Sequence, residues 1–204
     1  MYKRQGEPLQ SGVIFDNAGN LYGTAGGGAN GDGAVFKLSR IGTLWKETTL
    51  YSFTGGADGS APLNGLIMDP AGNLYGTTSN GGGGNGVVFE LSPSGGGWTY
   101  QVIYSGADGY ASLAMDAAGN IYGATFSTVF ELSPNGNGGW NPTILHTFTG
   151  PPGDGSTADG TPVLDQAGNL YGTTRTGGVH NSGDGLQAES WRERNLDRGD
   201  SLLV

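Results

Sequence analysis

Aspartate-glycine pairs are the residues in this sequence best suited to hold a metal ion. A carboxylate in a glycine-rich loop is a hard oxygen ligand of the kind that calcium prefers. The spacing around these pairs does not follow a calcium loop, whereas aspartate and glycine together are typical of tight turns. We therefore interpret them as turn residues and predict no metal ligand, with calcium binding as the alternative. They include Asp32-Gly33, Asp58-Gly59, Asp108-Gly109, Asp154-Gly155 and Asp184-Gly185.

Two glycine-rich segments match the letters of a dinucleotide-binding fingerprint, whose chemistry is the binding of a pyrophosphate. That fingerprint needs a helix directly after the glycines, because the helix N-terminus holds the phosphates. A predicted strand follows each segment here, so we predict flexible loops, no cofactor and no cofactor-binding residue. The glycines are Gly26, Gly28 and Gly31 in the first segment and Gly81, Gly83 and Gly86 in the second.

The two histidines are candidates for acid-base chemistry. His146 stands where two other repeats have a tyrosine, which predicts a packing or rim residue rather than a base. His180 lies in a glycine-rich loop near Arg175 and Asp184, and a functional role for it remains an alternative. The tyrosines equivalent to His146 are Tyr51 and Tyr104.

Two glutamates, Glu90 and Glu131, also have the chemistry of a general acid or base. They occupy the strand position at which Lys37 stands in another repeat. A catalytic acid or base needs its own titrating group at that position, so the exchange indicates a structural strand position. We predict no catalytic residue and a non-enzymatic protein, while an enzyme whose catalytic residues lie in repeats outside this chain stays open.

All these residues belong to a repeat with the motif Asp-x-Ala-Gly-Asn-x-Tyr-Gly. The motif returns about every fifty residues, a length typical of a four-stranded propeller blade rather than of a solenoid coil. An aspartate present in every copy is predicted to form the turn, because its carboxylate can accept hydrogen bonds from nearby backbone N–H groups. The repeated tyrosines are predicted to pack between blades. The four copies are Asp16–Gly23, Asp69–Gly76, Asp116–Gly123 and Asp165–Gly172.

Each copy resolves into four short strands separated by turn residues. The third strand alternates, with Phe36 and Leu38 on one face and Lys37 on the other. The fourth strand begins with a tryptophan, and the aromatic residue six positions later is predicted to share its face. Neighbouring sheets are predicted to pack on one another, because one small sheet cannot bury two apolar faces. The aromatic pairs are Trp45 with Tyr51, Trp98 with Tyr104, and Trp140 with His146.

These elements predict an all-β fold, a β-propeller fragment of about three and a half four-stranded antiparallel blades. No helical periodicity competes with this interpretation. The predicted segments are a non-native start at 1–6, blade 1 at 7–60, blade 2 at 61–110, blade 3 at 111–160, a partial blade 4 at 161–185 and a tail at 186–204.

The composition is typical of a loop-rich globular protein, with 42 glycines among 204 residues and no cysteine. A formal net charge of −9 repels phosphate backbones, so nucleic acid is not predicted as a partner. No apolar run reaches the length of about 20 residues that a spanning helix needs, so no direct membrane insertion is predicted.

Several separated blocks resemble the GloVer tandem repeat of bacterial choice-of-anchor proteins. The blocks are Gly65–Thr78, a glycine-rich loop, Val87–Pro93 and a closing Tyr51-Ser52-Phe53 motif, and the resemblance spans about residues 7–185. The third copy departs from the pattern, because its glycine loop shortens to Phe126-Ser127. The resemblance implies an exported propeller-like protein, extracellular or at the cell surface and held by a C-terminal anchor, and it implies no catalytic residues.

The two ends of the chain depart from the repeat. Residues 1–5 resemble the translation of a transposon adapter used in sequencing libraries, and residues 7–13 fit the interior of a repeat whose preceding strand is expected outside the chain. An apolar strand is expected after Gly185, yet residues 186–204 include seven charged side chains. With permitted codons, a shift by one base reads VFKLS from Gly185 onward, as at Val35–Ser39. We hypothesise a frameshifted and disordered tail.

The sequence thus predicts a binding or scaffold propeller of the bacterial exterior, whose loops meet a partner such as a glycan or a surface protein. Two alternatives remain. One is a fragment of a propeller enzyme of the lactonase, lyase or glycosidase type, and the other is a structural surface array without a discrete ligand.

Overall fold

The computed structural model describes residues 11–107, 112–151, 154–177 and 187–190, which contain fifteen strands and no helix. The strands form four small antiparallel sheets, and strands adjacent in sequence are neighbours in each sheet. The first sheet contains β1 (Ile14–Phe15), β2 (Leu21–Ala25), β3 (Ala34–Ile41) and β4 (Leu44–Ser52). The second contains β5 (Ile67–Met68), β6 (Leu74–Thr77), β7 (Val87–Ser94) and β8 (Gly97–Ser105). The third contains β9 (Leu113–Met115), β10 (Ile121–Ala124), β11 (Thr128–Pro134) and β12 (Trp140–Thr147), and the fourth contains β13 (Gly155–Leu164), β14 (Leu170–Gly177) and β15 (Gln187–Ser190).

This architecture confirms the predicted all-β fold and the propeller type of its blades. Three sheets are four-stranded meanders and the fourth has three strands in the described residues, as expected for three and a half blades. The chain divides into two compact units, residues 1–113 and 114–204, with the first two sheets in the first unit. The predicted residue limits of the individual blades remain predictions.

The structure describes the backbone of four residues within the predicted tail. The backbone of residues 187–190 forms β15 and pairs with β14. A strand edge presents N–H and C=O groups that pair with any backbone, so this pairing does not need an apolar alternation. The rest of the tail, like the adapter-like start, lies outside the described residues.

A β-bulge interrupts the pairing of the third and fourth strands in each complete sheet. In the first sheet, Val35 lies opposite Tyr51 and Phe36 lies opposite Thr49, which leaves one extra residue on β4. A bulge shifts the alternation of side chains by one residue. Trp45, which pairs with Arg40 before the bulge, therefore lies on the face opposite to Tyr51. The same bulge occurs in the second and third sheets. The prediction that the tryptophan and the aromatic residue six positions later share a face is therefore wrong.

Each sheet has two faces that can be named by their repeated residues. We call the face of Phe36 the Phe face and the face of Tyr22 the Tyr face, since these residues lie at positions of opposite parity. In the first unit, one apolar cluster joins the Tyr face of the first sheet to the Phe face of the second. Its fully buried members include Val35, Phe53, Phe89 and Leu91. Burial of each such side chain contributes about 1.5–3 kcal/mol.

The second unit repeats this packing with its own residues. Tyr122 and Val129 of the third sheet cluster with Ala158 and Leu170 of the fourth. All four are buried. In both units, therefore, the Tyr face of one sheet is covered by the sheet that follows it in the chain, as the repeat predicted.

A glycine in the second strand of each complete sheet makes room for the phenylalanine opposite it. Gly76 pairs with Phe89, and a Cβ atom added at Gly76 would lie 2.6 Å from Cζ of that ring. The far end of the Phe89 ring therefore occupies the space beside the glycine, a packing that a larger residue would prevent. The other pairs are Gly23 with Phe36 and Gly123 with Phe130.

Candidate functional site

The repeated aspartates hold the first turn of each sheet. Asp16 Oδ1 accepts hydrogen bonds from the backbone N–H groups of Ala18 (2.9 Å) and Asn20 (2.8 Å). Its Oδ2 accepts from the Asn20 side chain (2.7 Å) and from the Tyr22 hydroxyl (3.0 Å). These four bonds confirm the predicted turn role. The same bonds to the asparagine and the tyrosine recur at Asp69, Asp116 and Asp165.

The hydrogen bonds also favour the ionised form of two of these carboxyl groups, those of Asp16 and Asp116. Burial alone would raise the pKa of Asp16, but the bonds from Asn20, Tyr22 and Ala18 outweigh burial and hold that pKa below its ordinary value. The pKa of Asp116 is lowered in the same way. A carboxylate whose acceptor sites are used inside the turn is a structural group, which agrees with its presence in every copy.

The repeated tyrosines have a second role that the sequence analysis missed. Tyr22 packs as predicted, with its ring edge-on to Trp98 at a centroid distance of 6.2 Å, but its hydroxyl also closes the aspartate turn. The constant spacing of six residues between aspartate and tyrosine in all four copies was the signal for this bond. The Lys37 ammonium group lies 5.3 Å from the Tyr22 ring centroid, within the range of a cation–π contact.

A second kind of aspartate turn lies where the first sheet connects to the second. Oδ2 of Asp58 accepts from the Tyr51 hydroxyl (2.9 Å) and from the Thr54 N–H (2.9 Å), and Oδ1 accepts from the Thr54 hydroxyl (2.6 Å). Burial and Asp58 together raise the pKa of Tyr51 to about 12. This carboxylate is fully engaged by its own turn, as predicted for an aspartate-glycine pair.

Asp154 forms the equivalent turn after the third sheet. His146 Nε2 lies 3.2 Å from Asp154 Oδ1, in the place that the Tyr51 hydroxyl has beside Asp58. Thr149 donates its backbone N–H (2.6 Å) and its hydroxyl to Asp154 Oδ2. His146 also packs edge-on against Phe148 at 4.9 Å. This geometry confirms His146 as a packing residue, and it adds a hydrogen bond to the turn. Asp108, Asp184 and His180 lie outside the described residues.

The loops beside these turns form one surface in the first unit. We call the segments 26–33, 53–66 and 78–86 the loop rim. The Ala61 N–H donates to the Asp32 carbonyl (2.8 Å), and the Ser79 N–H donates to the Ala61 carbonyl (3.0 Å). The connection between the two sheets thus lies between their glycine-rich loops and is bonded to both.

Both glycine-rich fingerprints lie in the loop rim, and each is followed by a strand. β3 begins directly after the first loop and β7 directly after the second, so the helix required by a pyrophosphate site is replaced by a strand. The Gly82 and Gly86 N–H groups donate to the Gly56 and Gly81 carbonyls. These donors stabilise the rim itself. Among the residues that the structure describes, no group of three His, Cys, Asp or Glu side chains is placed to hold a metal ion.

The loop rim carries neutral polar side chains at its surface. Asn30, Asn80 and Asn85 are exposed, and the Asn30 side-chain amide donates to the Phe53 carbonyl at 2.8 Å. The equivalent loop of the third sheet is reduced to three residues, 125–127, in which Phe126 is 38% exposed. The strands and turns are thus constant between repeats, and the loops at this end of the strands differ in length and composition.

Stacked antiparallel meanders with one aspartate turn each define a β-propeller-type repeat protein. Residues 2–186 match the Gloeobacter/Verrucomicrobia repeat, and the chain belongs to that family. The match confirms the GloVer-type resemblance found in the sequence. The choice-of-anchor architecture remains a prediction.

Solved structures with the same fold include two gluconolactonase-type proteins and a secretion-system component. One, assigned as a gluconolactonase, is 18% identical with a TM-score of 0.55, and covers 88% of this chain and 62% of its own. The gluconolactonase of Xanthomonas campestris is 16% identical with a TM-score of 0.51, covering 84% and 57%. PorZ, a surface component of the type-IX secretion system of Porphyromonas gingivalis, is 16% identical with a TM-score of 0.58, covering 93% and 28%.

These likenesses establish the fold, and the chain spans less than two thirds of each of the three structures. No curated protein matches the sequence significantly. The described part of the chain contains no helix with the length and hydropathy needed to cross a bilayer.

Proposed function

We propose that this chain is a non-enzymatic binding module of the bacterial exterior, and that its loop rim binds a neutral glycan. The repeat family is bacterial, and PorZ, a protein of the same fold, is a surface component. The exterior location rests on this family membership and on the resemblance to exported repeat proteins.

The observation that carries the proposal is the contrast between a constant frame and variable loops. The repeated aspartates and tyrosines are used in hydrogen bonds within each turn, while the loops at one edge differ in length and composition. Variable loops on a rigid scaffold are typical of binding surfaces. The exposed side chains of the rim include three amides, which both donate and accept hydrogen bonds and so match the hydroxyl groups of sugars.

A glycan array of bacterial polysaccharides, probed with the labelled 204-residue chain, tests this proposal. Asn85→Arg changes an exposed residue of the rim. Asn17→Arg makes the same change in the turn between β1 and β2, at the opposite end of the strands of the first sheet. We expect Asn85→Arg to weaken binding at least tenfold and Asn17→Arg to leave it unchanged. Equal losses in both variants, or binding to immobilised surface proteins with no glycan signal, would contradict the proposal.

The likeness to gluconolactonases makes lactone hydrolysis the enzymatic alternative. The probe is glucono-δ-lactone with added calcium or zinc, followed by acid release at constant pH. Our proposal predicts the uncatalysed rate. Hydrolysis of the lactone that requires the metal ion and is lost when the chain is mutated would favour the enzyme instead.

A further inference from the structure

Six asparagines in the sequence are followed directly by a glycine. In such a pair the glycine nitrogen can attack the side-chain carbonyl carbon of the asparagine, because a glycine has no Cβ to hinder the approach. The pairs share the same two residue types, so the structure decides which of them can react. They are Asn30-Gly31, Asn64-Gly65, Asn80-Gly81, Asn85-Gly86, Asn135-Gly136 and Asn137-Gly138.

The attack has requirements that hydrogen bonds can block. The asparagine side chain and the peptide that follows it must rotate toward each other, and the glycine nitrogen must lose its proton. A bond that fixes the side chain or the backbone opposes the rotation. A bond donated by the glycine N–H stabilises its protonated form and so opposes the loss of the proton. The pair that has none of these bonds is therefore the reactive one.

Two of the asparagine side chains are held by acceptors from other segments. Asn30 Nδ2 donates to the Phe53 carbonyl at 2.8 Å, which ties the first glycine-rich loop to the end of the first sheet. Asn64 Nδ2 donates to the Thr77 hydroxyl at 3.2 Å. Rotation toward the following glycine would break these bonds, so the structure protects both pairs.

Two further pairs are protected through their backbone. The Asn80 N–H donates to the Ser60 carbonyl (3.2 Å) and the Asn80 carbonyl accepts from the Ser60 N–H (2.9 Å), which opposes rotation of the peptide that follows. The Asn85 side chain is exposed, but the Gly86 N–H donates to the Gly81 carbonyl at 3.0 Å. This bond holds the proton that the reaction has to remove.

The last two pairs lie together in the turn between β11 and β12, and they differ. Asn135 Oδ1 accepts from the N–H groups of Asn137 (2.9 Å) and Gly139 (3.0 Å), so the Asn135 side chain is fixed. Asn137 is exposed, and within the described part of the chain neither its side chain nor the Gly138 N–H has a hydrogen-bond partner. A Cβ at Gly138 would meet no atom within 4 Å, so the peptide has room to rotate.

We propose that Asn137 is a site of spontaneous deamidation, which converts it in the folded protein to aspartate or isoaspartate. The Gly138 nitrogen loses its proton to water or hydroxide, bonds to Cγ of Asn137 and expels the side-chain amide nitrogen as ammonia. Water then opens the cyclic imide at either carbonyl, so the net reaction consumes water and releases ammonia. This modification goes beyond the proposed glycan binding, and its site lies outside the loop rim.

The reaction changes both the charge and the backbone of this turn. Either product adds a carboxylate to a chain whose formal net charge is already −9. The isoaspartate product also adds a methylene group to the backbone of the turn that joins Pro134 to Trp140, which are paired across the two strands. The altered charge and the altered peptide are both measurable in the protein.

Peptide mapping by mass spectrometry tests the proposal on the 204-residue chain after incubation at mildly alkaline pH. We expect deamidation at Asn137 at least tenfold faster than at the other five asparagines, with isoaspartate among the products. In concentrated urea the protecting bonds are lost, so all six should react at similar rates. Similar rates in the folded chain, faster reaction at another pair, or the same preference for Asn137 in urea would overturn the proposal.

A pair of matched variants tests the assignment to Asn137 independently. Asn137→Gln removes the reactive group, because a glutamine has to form a larger ring and reacts far more slowly. Asn85→Gln is the control, since Asn85 is equally an exposed asparagine before a glycine but the Gly86 N–H is bonded. Isoelectric focusing of the parent chain should show a more acidic form that accumulates with time, absent in Asn137→Gln and unchanged in Asn85→Gln. The opposite pattern, or an acidic form that persists in both variants, would contradict the proposal.

Discussion

The rings of Tyr51 and Tyr100 stack 4.1 Å apart with their planes inclined by 10°, and they join the first sheet to the second. The Tyr100 hydroxyl also donates to the backbone carbonyl of Asp58. Asp58 in turn accepts from Tyr51, so two tyrosines from two repeats share one turn. Burial raises the pKa of Tyr100 well above its ordinary value, so this hydroxyl stays protonated as a donor.

The shared turn predicts two different costs at Tyr100. Tyr100→Phe keeps the stack and loses one hydrogen bond, so the free energy of unfolding should fall by about 1 kcal/mol. Tyr100→Ala removes the ring from the cluster and should cost about 3 kcal/mol or more. Urea unfolding of both variants measures the difference. Equal costs would show that the stacked ring contributes nothing.

The aspartate turns predict loss of stability in acid. Asp16 and Asp116 have a pKa lowered in the folded protein by hydrogen bonds that outweigh burial. A lowered folded pKa gives stability that is present above the unfolded pKa, about 3.9, and is lost as pH falls through the folded pKa. The urea midpoint should therefore be constant from pH 7 to about pH 5 and then decrease toward pH 2. Asp116→Asn should be less stable at pH 7, and its urea midpoint should decrease less between about pH 5 and pH 2. A decrease equal to that of the parent protein would show that Asp116 does not cause the loss of stability in acid.

The close approach of Gly76 and Phe89 predicts a steric cost for a single methyl group. Gly76→Ala places a Cβ 2.6 Å from the Phe89 ring, so we expect a loss of about 1–3 kcal/mol. Gly65→Ala is the control, because a Cβ there meets no atom within 4 Å. Phe89→Leu in the Gly76→Ala background should restore part of the loss. Additive effects in this double-mutant cycle would show that the two sites are not in contact.

The backbone conformation of Ala61 predicts that a glycine at this position keeps or increases the stability of the protein. Its φ of 53° lies in the left-handed region, where an L-residue with a Cβ is strained by about 1–2 kcal/mol. Ala61→Gly relieves this strain and increases the entropy of the unfolded chain, so stability should stay level or rise by up to about 1 kcal/mol. Ala18→Gly, at an exposed position without positive φ, should instead lower stability by about 0.5–1 kcal/mol. Equal losses at both positions would contradict the strain at Ala61.

The sequence predicted the sheets well because turn chemistry and alternation are local signals. The Asp16 turn and the alternation of Phe36 with Lys37 follow from neighbouring residues alone. The bulge between Thr49 and Tyr51 could not be predicted, since an extra residue in one strand is defined only by its partner strand. The shared turn of Asp58 escaped prediction for the same reason, because Tyr100 reaches it from the following repeat.

The fourth sheet bears on the hypothesis of a frameshifted tail. In the complete sheets the glycine of the second strand lies opposite a phenylalanine, but Gly172 lies opposite Glu189. The coding DNA decides the matter, because codons incompatible with the shifted reading from Gly185 would end the hypothesis. Compatible codons followed by further repeats in the shifted frame would support it.

The central claim is that each repeat forms its own sheet and that successive sheets meet through their tyrosine and phenylalanine faces. Nuclear Overhauser effects in the isotopically labelled chain test it directly. We predict contacts between the rings of Tyr51 and Tyr100 and between those of Tyr22 and Trp98, together with backbone contacts between Gly23 and Phe36. Backbone contacts that pair strands from different repeats, with no contact between these rings, would contradict the account.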